Sequence, residues 1–223
     1  MNREQLFNLD KFLEEDLRYD GRSKTDYRPV VVTPDVSGTA EGSVKVEIGD
    51  TQVIAGVKME AGTPYSDTPD EGVLMVNVEL SPIANENFET GAPGFDSIEL
   101  ARVTDRGIRE SRAMDVHKLC ITKGEKVWMV NVDIVVINDD GNLFDACSLA
   151  AIAAIKHAKM PQLDEEGNAD YHKVSKETLP LVQEPIGVTV YRIGENILVD
   201  PTLREAEVAD ARLTIASLAD GTI

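Results

Sequence analysis

Residues able to do chemistry fall in three places. Arg102, Arg106 and Arg109 recur at i, i+4 and i+7 within DSIELARVTDRGIRESRAM. On a helix that spacing sets three guanidinium groups in one stripe, with Arg112 somewhat off it. Guanidinium forks match phosphate oxygens, so such a stripe could hold a nucleic-acid backbone. On spacing alone, a solvated face laced by Glu99, Asp105 and Glu110 is the simpler reading.

The second place is Asn138-Asp139-Asp140-Gly141-Asn142, with Asp145 beyond. Its composition is calcium-like, but the EF-hand spacing D-x-[DN]-x-[DN]-G is missing. A turn into a helix capped by Asn142, with Asp145 three positions on, accounts for it without an ion. No Arg, Lys or hydroxyl lies in the turn, so only helix-terminal amides would attract an anion there. The third place is Asp200 and Asp210, candidate acid–base groups for which turn carboxylates are the simpler reading. His117, His157 and His172 are isolated, without triad or zinc spacing. No HExxH, GxSxG, P-loop or GxGxxG occurs. No metal site and no cofactor are expected.

The elements that must position these residues follow from periodicity. Leu6, Leu9, Phe12, Leu13 and Leu17 have helical spacing, and Asp20-Gly21-Arg22 ends that helix. Val30-Val31-Val32 is a β-branched run. Residues 43–48 and 51–58 alternate as two strands around Gly49-Asp50, and 72–80 is a third. Residues 61–72 and 81–96 are loops. Residues 96–114 form the arginine helix, capped by Asp96 or Ser97, with Gly107 costing roughly 1 kcal/mol against Ala unless a neighbour packs closely on it. Leu119-Cys120-Ile121 begins another strand. Gly124 to Ala158 then reads as a long buried strand, a tight turn and a small-residue helix. An acidic loop, 164–170, precedes strands at 185–190, 196–200 and 211–216. The order gives an α/β (α+β) fold, expected as an N-terminal helix over 1–22 and a single domain over 23–223.

The chain has 223 residues, 42% of them hydrophobic, enough for a sizeable core, but only 5% aromatic. No run approaches a membrane span, and the charged N-terminus lacks a signal-peptide core, so a cytosolic protein is expected. Cys120 and Cys147 read as reduced core thiols. The formal net charge of −18 argues against a general nucleic-acid binder. A concentrated basic stripe would still bind locally, because salt screens distant charges.

Several stretches together resemble the RNase PH family. They are Asp20-Gly21-Arg22 with Tyr27-Arg28-Pro29; residues 49–57, GDTQVIAGV; residues 99–109, ELARVTDRGIR; residues 124–128, GEKVW; and residues 138–146, NDDGNLFDA. Each is weak, but as an ordered set they are specific, and they are most similar to the catalytically silent RNase PH-like subunits of archaeal exosomes. The resemblance implies a ribosomal protein S5 domain 2-like fold. It implies a hexameric ring alternating with a catalytic RNase PH-like subunit, and cap subunits with RNA-binding domains. Such an assembly degrades single-stranded RNA from the 3′ end by phosphorolysis; neither DNA nor membrane is implied as a partner. Active members carry Gly-Ser-Arg or Gly-Thr-Arg at the phosphate turn, where this chain has Gly141-Asn142-Leu143. Phosphate would lose a charged bidentate partner. Of the family's two late aspartates, Asp210 matches the second and Arg204 stands at the first. The resemblance therefore implies a chain inactive alone, with Arg102, Arg106 and, less surely, Arg109 binding RNA phosphates. The alternatives are an active homohexameric phosphorolytic nuclease, or an architectural subunit whose arginines only bridge to neighbours. The family usually continues past Leu218–Thr222 into a further strand and helix, so a longer chain is expected.

Overall fold

The computed structural model describes residues 9, 12–164, 166 and 168–223, except the side chains of residues 172 and 174. Among the described residues the strands form three sheets. The main sheet has the order β1-β2-β3-β6-β4, with β5 also paired to β6. Its strands are β1 (Val30–Pro34), β2 (Gly42–Ile48), β3 (Thr51–Gly62), β4 (Val73–Leu80), β5 (Cys120–Thr122) and β6 (Lys126–Asn138). All pairs are antiparallel except β4 with β6.

In β3, Thr51, Val53, Ala55, Val57 and Met59 are buried and the residues between them less so, the period of two that one covered face demands. β6, expected as a long buried strand, is buried on one face: Val130, Val132, Ile134 and Val136 point inward, while Asp133 faces out and accepts from Asn77 Nδ2 at 3.0 Å. An antiparallel neighbour leaves the other face to water.

Helix α1 (Phe95–Glu110) and helix α2 (Leu143–His157) cover the sheet. Small residues let α2 approach β2 closely. A Cβ added at Gly42 would come within 2.6 Å of backbone atoms of Ala154 and Ala158. Cys147 lies on this helix, and burial pushes its thiol up to about 12. Cys120 is half-buried, and both cysteines are free.

A second sheet has the order β10-β9-β11, from β9 (Ile186–Ile193), β10 (Asn196–Val199) and β11 (Ala211–Ser217). Against it pack Leu9 and Leu13, which form a small core with Tyr191, Ile193 and Leu198. Leu6 and the rest of the expected helix through residue 8 lie outside the described residues; Phe12 and Leu17 are exposed.

The structure corrects several expectations. Helix α1 ends at Glu110, and Arg112 takes a left-handed φ of 53°, so Arg112 is off the helix altogether. Neither Asp96 nor Ser97 caps it. Gly94 is the N-cap, and the Ser97 hydroxyl donates instead to the Val78 carbonyl. The expected acidic loop, 164–170, overlaps strand β8 (Ala169–Thr178), which pairs antiparallel with β7 (Lys159–Leu163). The mostly exposed strand β7 gives no apolar alternation to read. Helix α3 (Leu203–Ala206) was also missed, although Thr202 and Glu205 form the capping box that T-x-x-E signals.

Candidate nucleic-acid interface

The turn at residues 139–142 is filled from within. Arg28, arriving just before β1, donates to Asp200 from its backbone N at 2.8 Å, Nε at 2.9 Å and Nη2 at 2.7 Å. Its Nη1 reaches Asp140 Oδ2 at 3.0 Å and the Asp140 carbonyl at 2.7 Å. Arg22 Nη1 adds a bond to Asp200 at 2.8 Å. Asp200 is fully buried; burial alone would raise its carboxyl, but the Arg28 bonds outweigh it and hold the group below the usual range. Next to it, Arg18 pairs with buried Glu205 through Nε at 2.9 Å. Asp200 is thus the hub joining the N-terminal segment, the turn and the second sheet.

Asn142 precedes α2, as expected, but its side chain does not cap the helix. It takes a left-handed φ of 60°, and its Nδ2 donates to Asp200 Oδ1 at 2.8 Å and Asp145 Oδ2 at 3.1 Å. A capping residue needs an extended backbone to aim its oxygen at the first-turn amides. Gly141 has φ 88°, and an added Cβ would lie 2.5 Å from the Pro201 carbonyl, so the lead into α3 sits directly on the turn. Asp145 also receives the Tyr27 hydroxyl. Burial raises the Asp145 carboxyl above its ordinary value.

Beside this helix start lies a cavity of about 190 Å³, bordered by Asp96, Glu99, Asp139, Leu143 and Arg212. Its one cation is already engaged: Arg212 pairs with Glu99 and lies 4.0 Å over the Phe144 ring. Three carboxylates against one neutralised guanidinium make a poor phosphate cradle. Arg212 gave no sequence signal, since only the fold brings β11 across α1. Among the described residues no group of three or more His, Cys, Asp or Glu is gathered to hold a metal ion.

The two late aspartates separate. Asp200 is the buried hub. Asp210 is exposed and its Oδ2 accepts from Gly194 N at 2.8 Å in the β9–β10 turn. Neither borders the cavity. Arg204 is exposed on α3. His117 is exposed with Glu71 at 3.8 Å, His157 is exposed, and the His172 side chain lies outside the described residues.

The arginine row is real but not uniform. Arg102 and Arg106 are exposed on α1 and make no ion pair or hydrogen bond among the described residues. Arg106 stands at the lip of a cleft of about 580 Å³ between α1 and β11. Arg109 is tied down: Nε and Nη2 donate to Asp105 at 3.0 and 2.7 Å, and Nη2 reaches the Leu74 carbonyl at 2.9 Å. The Asp105 bond holds its guanidinium above the ordinary value. The solvated face expected from Glu99, Asp105 and Glu110 therefore applies to Arg109 alone. Glu99 is committed to Arg212.

Residues 26–161 match domain 1 of the 3′ exoribonuclease family, RNase PH, and residues 183–223 match its domain 2. The chain belongs to the RNase PH family. It has that family's fold, mixed sheets packed with helices. Among RNase PH-family relatives, the exosome complex component Rrp42 of Methanosarcina mazei is 45% identical over 225 residues, covering 100% of this chain and 80% of that protein. A chain of the Archaeoglobus fulgidus exosome with RNA bound to the active site is 47% identical with TM-score 0.88, covering 97% of this RNase PH-family chain and 83% of that one. A chain of an archaeal exosome core gives 46% identity and TM-score 0.84, covering 97% and 81%. Among the described residues no helix is long and apolar enough to cross a membrane.

Proposed function

We propose that this chain is a non-catalytic ring subunit of an archaeal-type exosome, which degrades single-stranded RNA from the 3′ end by phosphorolysis. Its role is to present Arg102 and Arg106 to RNA phosphates at a site whose chemistry a catalytic RNase PH-like partner supplies. Cap subunits with RNA-binding domains complete the assembly. The observation that carries the reading is a pair of arginines, unpaired among the described residues, on one helix face of a chain with net charge −18. An acidic protein gains nothing for solubility from two free guanidinium groups there; RNA phosphates give them partners. The silent half of the proposal is supported by the 139–142 turn. Leu143 offers phosphate no charge, and the surrounding groups are carboxylates or cations already paired.

Arg109 serves as a positioning residue, pinning the last turn of α1 to the start of β4. The test is RNA decay with and without phosphate, by the chain alone and with its ring partner. The chain alone should be inactive, and the mixture active only with phosphate. Turnover by the chain alone would overturn the silent assignment. Arg102→Glu with Arg106→Glu should leave assembly intact, and log K should lose about 0.7 of its slope against log[salt] per lost single-strand contact. An unchanged slope would return these arginines to a solvated face.

A further inference from the structure

Phe95 is the first residue of α1 and is 79% exposed. Arg102 and Arg106 follow it by seven and eleven residues. At roughly 100° per residue both fall within about 20° of its direction. Phe95 therefore heads the same stripe, about 10 Å along the axis from Arg102. At the other end, Tyr65 is 60% exposed on the loop between β3 and β4. Arg109 bonds the Leu74 carbonyl at the start of β4, so this loop leads to the Arg109 end of the row, and the Tyr65 hydroxyl has no partner among the described residues.

That loop is held in place. Thr68 N donates to the Tyr65 carbonyl at 3.2 Å, Gly124 N to the Pro69 carbonyl at 2.7 Å and Gly72 N to the Val116 carbonyl at 2.9 Å. Asp70 of the loop is paired with Lys123 at 2.9 Å. The other exposed aromatics among the described residues are occupied. Tyr171 bonds the Met59 carbonyl under Lys58, Tyr27 bonds Asp145, and Phe12 packs edge-on against Tyr19. In a chain with 5% aromatics, two unoccupied rings at the ends of one arginine row call for an explanation.

Resting on the function proposed above, we infer that Phe95 and Tyr65 are base-stacking platforms bracketing the arginine row, so that one single-stranded RNA segment lies along α1. Cations track the backbone, while ring faces accept any base. That combination binds single strands without reading sequence. The span from Phe95 to Arg109 is about 21 Å, enough for several nucleotides and too long for a single one.

The experiment uses the chain assembled with its ring partner, and fluorescence anisotropy with single-stranded oligoadenylate and an abasic strand of equal length. Phe95→Leu and Tyr65→Leu should each weaken oligoadenylate binding about 5-fold to 150-fold, with the salt slope unchanged. Neither should weaken binding of the abasic strand, and Tyr65→Phe should bind as the parent does. If either leucine variant binds oligoadenylate like the parent, the bracket is wrong. A loss that persists on the abasic strand, or that accompanies failed ring assembly, also overturns it, because the rings then pack against protein. Arg102→Glu with Arg106→Glu separates the two claims. If that pair weakens RNA binding and the leucine variants do not, only the stacking falls; if it too is silent, the RNA-binding reading falls with it.

Discussion

Replacing Asp200 with Asn tests whether the buried hub, rather than any chemistry, explains the late aspartates. The carboxylate accepts from Arg28 N, Nε and Nη2, from Arg22 Nη1 and from Asn142 Nδ2, all within 2.9 Å. An amide accepts through one oxygen only and turns two hydrogens toward guanidinium groups. Removing one partner of a buried pair costs about 3–5 kcal/mol. Here the lower end applies, since Arg28 keeps half-exposed Asp140 at 3.0 Å and Arg22 keeps Asp20 at 2.7 Å. The expected loss is about 3 kcal/mol, or about 6–12 °C in Tm for a chain of this size. Asp210→Asn disturbs one exposed hydrogen bond and should cost about 1 kcal/mol or less. Urea unfolding reads both through the emission of Trp128, the single tryptophan, which is buried. The parent should also lose stability as pH falls below 3.8, because the folded Asp200 carboxyl lies below that unfolded value, and this loss should shrink in Asp200→Asn. If Asp200→Asn costs no more than Asp210→Asn, the hub is not holding the second sheet and the argument fails.

Two further outcomes follow from the same geometry. Gly107→Ala should stabilise the chain by up to about 1 kcal/mol, because the new Cβ meets only Ala216 Cβ at an ordinary 3.5 Å; a lower urea midpoint would show that α1 and β11 cannot tolerate even a methyl. Asp145 behaves opposite to Asp200. Its folded carboxyl is raised above 3.8, so its contribution is present below that value and lost as pH rises through the raised one. Relative to the parent, Asp145→Asn should therefore gain stability as pH rises above 3.8, and a pH-independent difference in urea midpoints would refute the buried-charge assignment.

Period and order were legible in the residues themselves. Alternation in β2, β3 and β4 and helical spacing in α1 and α2 placed most elements within a few positions, because one-sided burial imposes its own period on a chain. The ordered motifs carried the family, and 99–109 carried the arginine row. The hairpin of β7 and β8 stayed hidden because it lacks a covered face, and α3 because its capping-box signal went unread.

What one residue does with another was decided only in three dimensions. Asp200 and Asp210 look alike along the chain. Their difference is that the fold brings Arg22 and Arg28, more than 170 positions away in sequence, onto one of them. Arg109 looks like a third member of the row until Asp105 and the Leu74 carbonyl claim it. Asn142 looks like a cap until its left-handed backbone turns it toward Asp200. Local periodicity is a property of neighbours in the chain, so sequence carries it. Charge pairing depends on distances closed by tertiary packing, and no spacing rule contains them.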